Sequence, residues 1–235
     1  MTIIIGLLFS ATTSTALAGP LEDIAQIKTK LESMTPPVKA KNIEASRLSG
    51  LYEIFVGGKL IYVDKNFSYA MVGGSLIEIA SKKNLTDERL KQLSSIKFDQ
   101  LPLQNAIEVK KGSGAYRFAV FTDPDCPYCK MLEGHLVESG LSDYTAYIFL
   151  YPLKELHPEA ASKSESIWCA KDKVEAWSNL MLKGTLPEKA NCENPLSSNS
   201  KLAEDLGVTG TPTIYLMDGQ KAQDPQELMT AIKNH

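Results

Sequence analysis

Apolar positions first recur at Leu21, Ile24, Ile27 and Leu31, in three- and four-residue steps that predict an amphipathic helix stopping before Pro36-Pro37. The rhythm then shortens to alternation in "KNIEASRL", "LYEIFVGGKLIYVD" and "SYAMVGGSLIEIA", which predicts strands. The Gly-Gly pairs at 57–58 and 73–74 sit between apolar stretches, as hairpin turns do. One helix and a curled antiparallel sheet would make a small α+β unit over residues 19–82. In "NLTDERLKQLSSI" Leu85, Leu90 and Leu93 give only a thin apolar stripe, suited to a connector. Thr86 is its expected N-cap, and Asp87 and Glu88 favour its first turn. "FDQLPLQNA" reads as a loop, so residues 83–106 are expected to link two units.

From Ile107 the pattern alternates strand and helix. "AIEVKKG", "YRFAVFT", "YTAYIFLY" and "TPTIYLMDG" read as strands; "CPYCKMLEGHLVE", "KLAEDLG" and "DPQELMTAIKNH" read as helices. "EAASKSESIWCAKDKVEAWSNLML" is a long helical stretch, one helix or two. Such alternation implies a parallel or mixed sheet covered on both faces, an α/β unit over 107–235.

The first eighteen residues change the picture. "MTIIIGLLFSATTSTALA" has no charged side chain, an apolar run from Ile3 to Ala11, and a small-residue "ALA" at its end. That is the layout of a secretory signal peptide over residues 1–18, too short for a membrane span. Its first residues lack the usual Lys or Arg. A net charge of −3 with no long like-charge run gives no pull toward nucleic acid or anionic lipid, so neither is an expected partner.

Export changes how the four cysteines are read, because disulfides persist outside the cytosol. Cys126 and Cys129 stand in "FTDPDCPYCK" at a strand-to-helix junction. Pro127 suits the first helical position, and the free N–H groups of a helix start are expected to point at the Cys126 sulfur. A thiol with an ordinary pKa is only about 3% thiolate at pH 7, and a helix start favours the thiolate. Cys126 is therefore read as the attacking sulfur, and Cys129, one turn further in, as the shielded resolving thiol. A zinc site would need a second ligand pair, but Cys169 and Cys192 are 23 positions apart and His135, His157 and His235 fall at no ligand spacing. No metal or cofactor is expected. A purely structural bridge at 126–129 would close too little chain to matter. Cys169 and Cys192 read most simply as a structural disulfide worth ~3 kcal/mol, with a second redox pair as the other reading.

The strand–CxxC–helix arrangement, the helical insert, and "GVTGTPTIYLMDG" with Thr211-Pro212 before a strand resemble the thioredoxin superfamily. In order, "FTDPDCPYCKMLE", "IWCAKDK" and "LGVTGTPTIYLMDG" more narrowly resemble the bacterial periplasmic disulfide isomerases of the DsbC and DsbG family. The resemblance implies a cystatin-like α+β dimerisation domain (19–82), a linker helix (83–106) and a thioredoxin-like catalytic domain with a helical insert (107–235). It also implies a V-shaped homodimer, a cis Pro212 facing the CxxC, and a membrane thiol reductase of the DsbD type that keeps Cys126 and Cys129 reduced. Thr211 and Pro212 become expected substrate contacts; Tyr128, its ring expected beside the sulfur, reads as a third contact or as plain exposed surface. Pro127-Tyr128 is the DsbG form of the dipeptide, whereas Cys169 and Cys192 match the second pair typical of DsbC.

The expected function is periplasmic disulfide isomerisation of misfolded exported proteins. The alternatives are a DsbG-like reductase protecting single cysteines from sulfenic acid, a dithiol oxidase, and a chaperone without redox turnover. Asp123 and Asp125 have sufficient reason in the turn they make, with proton transfer near the sulfur as the other reading. Lys130 reads as a solvated first-turn lysine or as support for the thiolate, His157 as a loop residue, and Trp168 and Trp177 as core of the insert.

Overall fold

The computed structural model describes residues 20–235, so the signal-peptide reading of residues 1–18 lies outside the described residues. The chain divides into two compact units, one of residues up to Ile54 with Ile61–Val72, the other of Phe55–Leu60 with Gly73–His235.

In the first unit, helix α1 (Pro20–Glu32) buries Ile27 and Leu31, the inward half of the predicted stripe. A four-stranded sheet follows in sequential order, β1 (Asn42–Ala45), β2 (Leu51–Val56), β3 (Lys59–Asp64) and β4 (Ala70–Val72). Gly57 and Gly58 join β2 to β3 with both residues at positive φ, the geometry that two-residue hairpin turns require. Tyr52, Ile54, Tyr62 and Val63 are buried, and the Tyr52 hydroxyl donates to Asp23 of α1. β4 forms the far edge of the sheet, antiparallel to β3.

Gly73-Gly74 does not turn a hairpin. The next strand, β5 (Ile77–Glu78), pairs instead with β6 (Lys83–Asn84), with Ile77 opposite Asn84. Helix α2 (Leu85–Ser94) is capped by Asn84, whose side chain accepts from the Asp87 N–H, and not by Thr86. Thr86 is buried inside the first turn, where its hydroxyl accepts from the Leu76 N–H at 2.8 Å. The expected loop at 98–106 contains two short 3₁₀ turns, Phe98–Gln100 and Leu103–Asn105. Phe98 and Leu101 are buried there, because Phe98 meets Tyr147 edge-on at 6.3 Å.

The sheet of the second unit has the order β10 (Thr213–Tyr215), β8 (Tyr116–Thr122), β9 (Tyr144–Leu150), β7 (Ile107–Lys111). It is mixed: β8 and β9 run parallel, and both outer strands are antiparallel to their neighbours. The run Phe118–Phe121 is apolar throughout because strand residues alternate between two covered faces. Phe118 and Val120 face a core that includes Cys126, Cys129, Leu132, Trp177 and Leu228. These come from helices α3 (Pro127–Glu138), α5 (Lys173–Lys183) and α7 (Pro225–Lys233). Ala119 and Phe121 face the other core with Phe149, Tyr215 and Ala203, the last from helix α6 (Leu196–Leu206). Phe121 stacks on Phe149 at 5.0 Å. The long helical stretch is two helices, α4 (Ala160–Cys169) and α5, with Asp172 capping the second.

Candidate functional site

Strand β8 delivers the site at its C-terminal end. After Thr122, the residues Asp123, Pro124 and Asp125 turn the chain, and Cys126 becomes the extended N-cap of α3 with φ −69° and ψ 121°. Pro127 holds the first helical position, where its missing N–H leaves no bond unmade. The Cys126 N–H donates to Asp123 O, and the Lys130 N–H donates to Cys126 O, each at 3.2 Å. Cys126 and Cys129 are both free thiols and both buried, with Cys129 the deeper at 1% exposure.

The Cys126 sulfur departs from the helix-start expectation. It accepts no capping bond from α3; its Sγ donates to the Thr211 carbonyl oxygen at 3.3 Å. A protonated thiol is a weak donor that needs an acceptor, and the loop before β10 supplies one. The Thr211–Pro212 peptide is cis. Thr211 Oγ1 is buried and has no hydrogen-bond partner among the described residues.

Cys129 is held neutral. Burial pushes its thiol up to about 12, opposed by hydrogen bonds from the Thr122 hydroxyl and the Asp123 backbone and reinforced by the neighbouring Cys126 sulfur. Tyr128, between the two cysteines, is 67% exposed. With Met131, Thr211, Pro212, Ile214 and Pro225 it lines a cavity of about 380 Å³. The expected contact residues Tyr128, Thr211 and Pro212 thus meet around one opening beside the CxxC.

The turn before Cys126 is fastened from outside. Asp123 is completely buried; its Oδ1 accepts from the Asp125 N–H and its Oδ2 from the Leu153 N–H, both at 2.7 Å. His157 Nδ1 lies 3.1 Å from Asp123 Oδ2, without hydrogen-bonding geometry. Lys163 Nζ, on α4, donates to Asp125 Oδ1 at 2.6 Å. In the sequence the two aspartates are marked by the turn they make, whereas Lys163 carries no mark and His157 reads only as loop. No local pattern marks either, because each reaches the turn only through the packing of the insert.

Glu133, on α3, accepts from Trp177 Nε1 at 3.1 Å, and burial raises its carboxyl to about 7. Trp177 is buried, whereas Trp168 is half-buried with Lys173 Nζ 3.5 Å over its ring. Cys169 and Cys192 are joined, S–S 2.04 Å, and tie the end of α4 to the segment before α6.

A family model described as a thioredoxin-like domain matches residues 103–229, more than half of the chain. A second, described as the disulfide bond isomerase protein N-terminal domain, matches residues 15–87. The probable thiol:disulfide interchange protein DsbC of Bordetella avium is 40% identical over 173 residues, covering 74% of this chain and 61% of that protein. The chain thus spans about three fifths of the length of the first curated relatives that it matches. DsbC of Escherichia coli K12 is 25% identical over 219 residues, 91% of this chain and 89% of the relative. Among solved structures, a disulfide interchange protein from Neisseria gonorrhoeae aligns with TM-score 0.53 and 37% identity, covering 57% of this chain and 98% of that one.

Proposed function

We propose that this chain, which belongs to the DsbC family of thioredoxin-like disulfide interchange proteins, is an exported protein disulfide isomerase that works through Cys126 and Cys129. The observation that carries the reading is the unequal dithiol: Cys126 caps a helix start with its Sγ on Thr211, a residue of the cavity lining, whereas burial holds Cys129, one turn further in, protonated.

The chemistry follows from that inequality. The Cys126 thiolate attacks a substrate disulfide; a Cys126–substrate bond forms, the substrate bond breaks, and the leaving sulfur takes up a proton. The freed substrate thiol attacks another disulfide, and a later thiol displaces Cys126, so pairings change while the number of disulfides does not. If the complex stalls, Cys129 loses its proton and attacks Cys126 Sγ. The 126–129 disulfide forms and the substrate leaves reduced. A membrane thiol reductase of the DsbD type then returns the dithiol. Thr211 lies just before β10, an edge strand of its sheet, so an extended substrate can pair with the backbone there while Tyr128 and Pro212 contact its side chains.

Residues 19–82 act as a dimerisation domain, 83–106 as a linker and 107–235 as the catalytic domain. Support for pairing through the first unit comes from β4, an edge strand exposed along its whole length, with Val72 64% and the adjoining Tyr69 82% exposed. Export to the periplasm is supported by the character of residues 1–18 and by the Cys169–Cys192 bond, which a reducing cytosol would not preserve. The substrates are misfolded exported proteins with wrong disulfides.

Reactivation of scrambled ribonuclease in a glutathione buffer tests the reading. The chain should restore activity and Cys126→Ala should not. Turnover of a protein sulfenic acid without reactivation would move it to the reductase reading that Pro127-Tyr128 favours; an effect that survives Cys126→Ala would make it a holdase.

A further inference from the structure

The ionisable groups around the turn that carries Cys126 come from several elements. On its own turn are Asp123 and Asp125; on α3 are Cys129, Tyr128 and Lys130; on the segment after β9 is His157; on α4 is Lys163. The loop from Gly207 to Thr213 contributes no ionisable side chain. Asp123 is already engaged by two backbone N–H groups and approached by His157. Asp125 is different: it directly precedes the attacking sulfur, and its carboxylate opposes any negative charge there. Among the described residues its charged partner is Lys163, at 2.6 Å, with both side chains largely out of water at 24% and 19% exposure. In such a setting charges are weakly screened and act over several ångströms.

We propose that Lys163 is a positioning residue for the attacking thiol: by pairing with Asp125 it cancels the carboxylate beside Cys126, so that the insert helix sets how readily that sulfur becomes a nucleophile. Lys163 itself touches neither sulfur nor substrate in this account; it works through Asp125. The helical insert therefore has a chemical task besides closing the Cys169–Cys192 loop. The inference rests on Cys126 being the reactive thiol, as proposed above.

The test follows alkylation of Cys126 by iodoacetamide in the reduced full chain, by mass spectrometry, from pH 5 to 9. Lys163→Met should move the rise in rate to higher pH, about three- to tenfold slower at pH 6, with the plateau at high pH unchanged. Asp125→Asn should move it the other way, the double variant Asp125→Asn/Lys163→Met should return near the wild type, and Lys163→Arg should keep the wild-type profile. Should Lys163→Met not fold, Lys163→Gln, which keeps a polar head for Asp125 but not the charge, replaces it with the same expected shift. Superimposable profiles, or a rate lowered equally at every pH, would overturn the proposal. If the wild-type Cys126 reacts no faster than Cys129, the underlying reading fails, a result distinct from a reactive Cys126 that ignores Lys163.

Discussion

Cys126 Sγ and the Thr211 carbonyl oxygen are 3.3 Å apart, although 85 positions separate the two residues in sequence. The sulfur proposed to attack and the backbone proposed to receive substrate are therefore one place. A substrate paired along that backbone would present its disulfide to Cys126 already oriented.

On the proposed mechanism, replacing Cys129 with Ser removes the group that resolves a stalled complex. Covalent complexes with a disulfide-bearing substrate should accumulate and survive on non-reducing gels, with the bond mapping to Cys126. The Cys126→Ala variant should form none.

The two thiols should differ sharply toward alkylation. With its thiol raised to about 12, Cys129 has roughly one part in ten thousand as thiolate at pH 8. Iodoacetamide at pH 8 should add one group to the native reduced protein, at Cys126, and a second only after unfolding. Equal labelling of both sites in the native state would contradict the asymmetry.

Much of this site was legible locally. A short apolar strand, an Asp-Pro-Asp turn, Cys-Pro at a helix start and Thr-Pro before a later strand each carry their own signal in neighbouring residues. What was not legible depends on partners far along the chain. The Cys126 sulfur turned to Thr211 instead of its own helix, and Lys163 and His157 reached the turn only once the insert had packed. The same holds in the fold. Thr86 looked like a cap until Leu76 claimed its hydroxyl, and Gly73-Gly74 looked like a hairpin turn until Ile77 paired with Asn84. Phe98 and Leu101 lacked periodicity because short 3₁₀ turns carry them into the core.

The Cys169–Cys192 bond should be structural. The double variant Cys169→Ser/Cys192→Ser closes no loop in the unfolded chain and should lose ~3 kcal/mol in urea unfolding. Its CxxC should still be alkylated at Cys126. Loss of thiol reactivity with unchanged stability would assign the pair a redox role instead.

Glu133 should make stability depend on pH. Its carboxyl is raised by burial from 4.5 to about 7, so the folded state holds the proton more tightly than the unfolded one. That stabilisation is full below about 4.5 and is lost as pH rises through about 7. From this group the wild type should lose ~1–3 kcal/mol between pH 5 and 8. Glu133→Gln keeps an acceptor for Trp177 and should unfold with a flatter pH dependence, more stable than wild type at pH 8.

The exposed edge at β4 should be where two copies meet. Light scattering on residues 19–235 at micromolar concentration should give a dimer, and Val72→Asp, a charge on that edge, should give a monomer. A dimer indifferent to Val72→Asp would place the pairing elsewhere.

A dithiol that rearranges substrate disulfides differs from one that merely reduces them in the number of disulfides left on the substrate. The direct measurement follows scrambled ribonuclease with the chain in a glutathione buffer, reading enzymatic activity and, by mass after quenching, the number of disulfides per molecule. With an isomerase, activity should rise while that number stays constant, and Cys126→Ala should abolish the rise. A fall in disulfide number ahead of any activity, or a rise that persists without Cys126, would contradict isomerisation through Cys126.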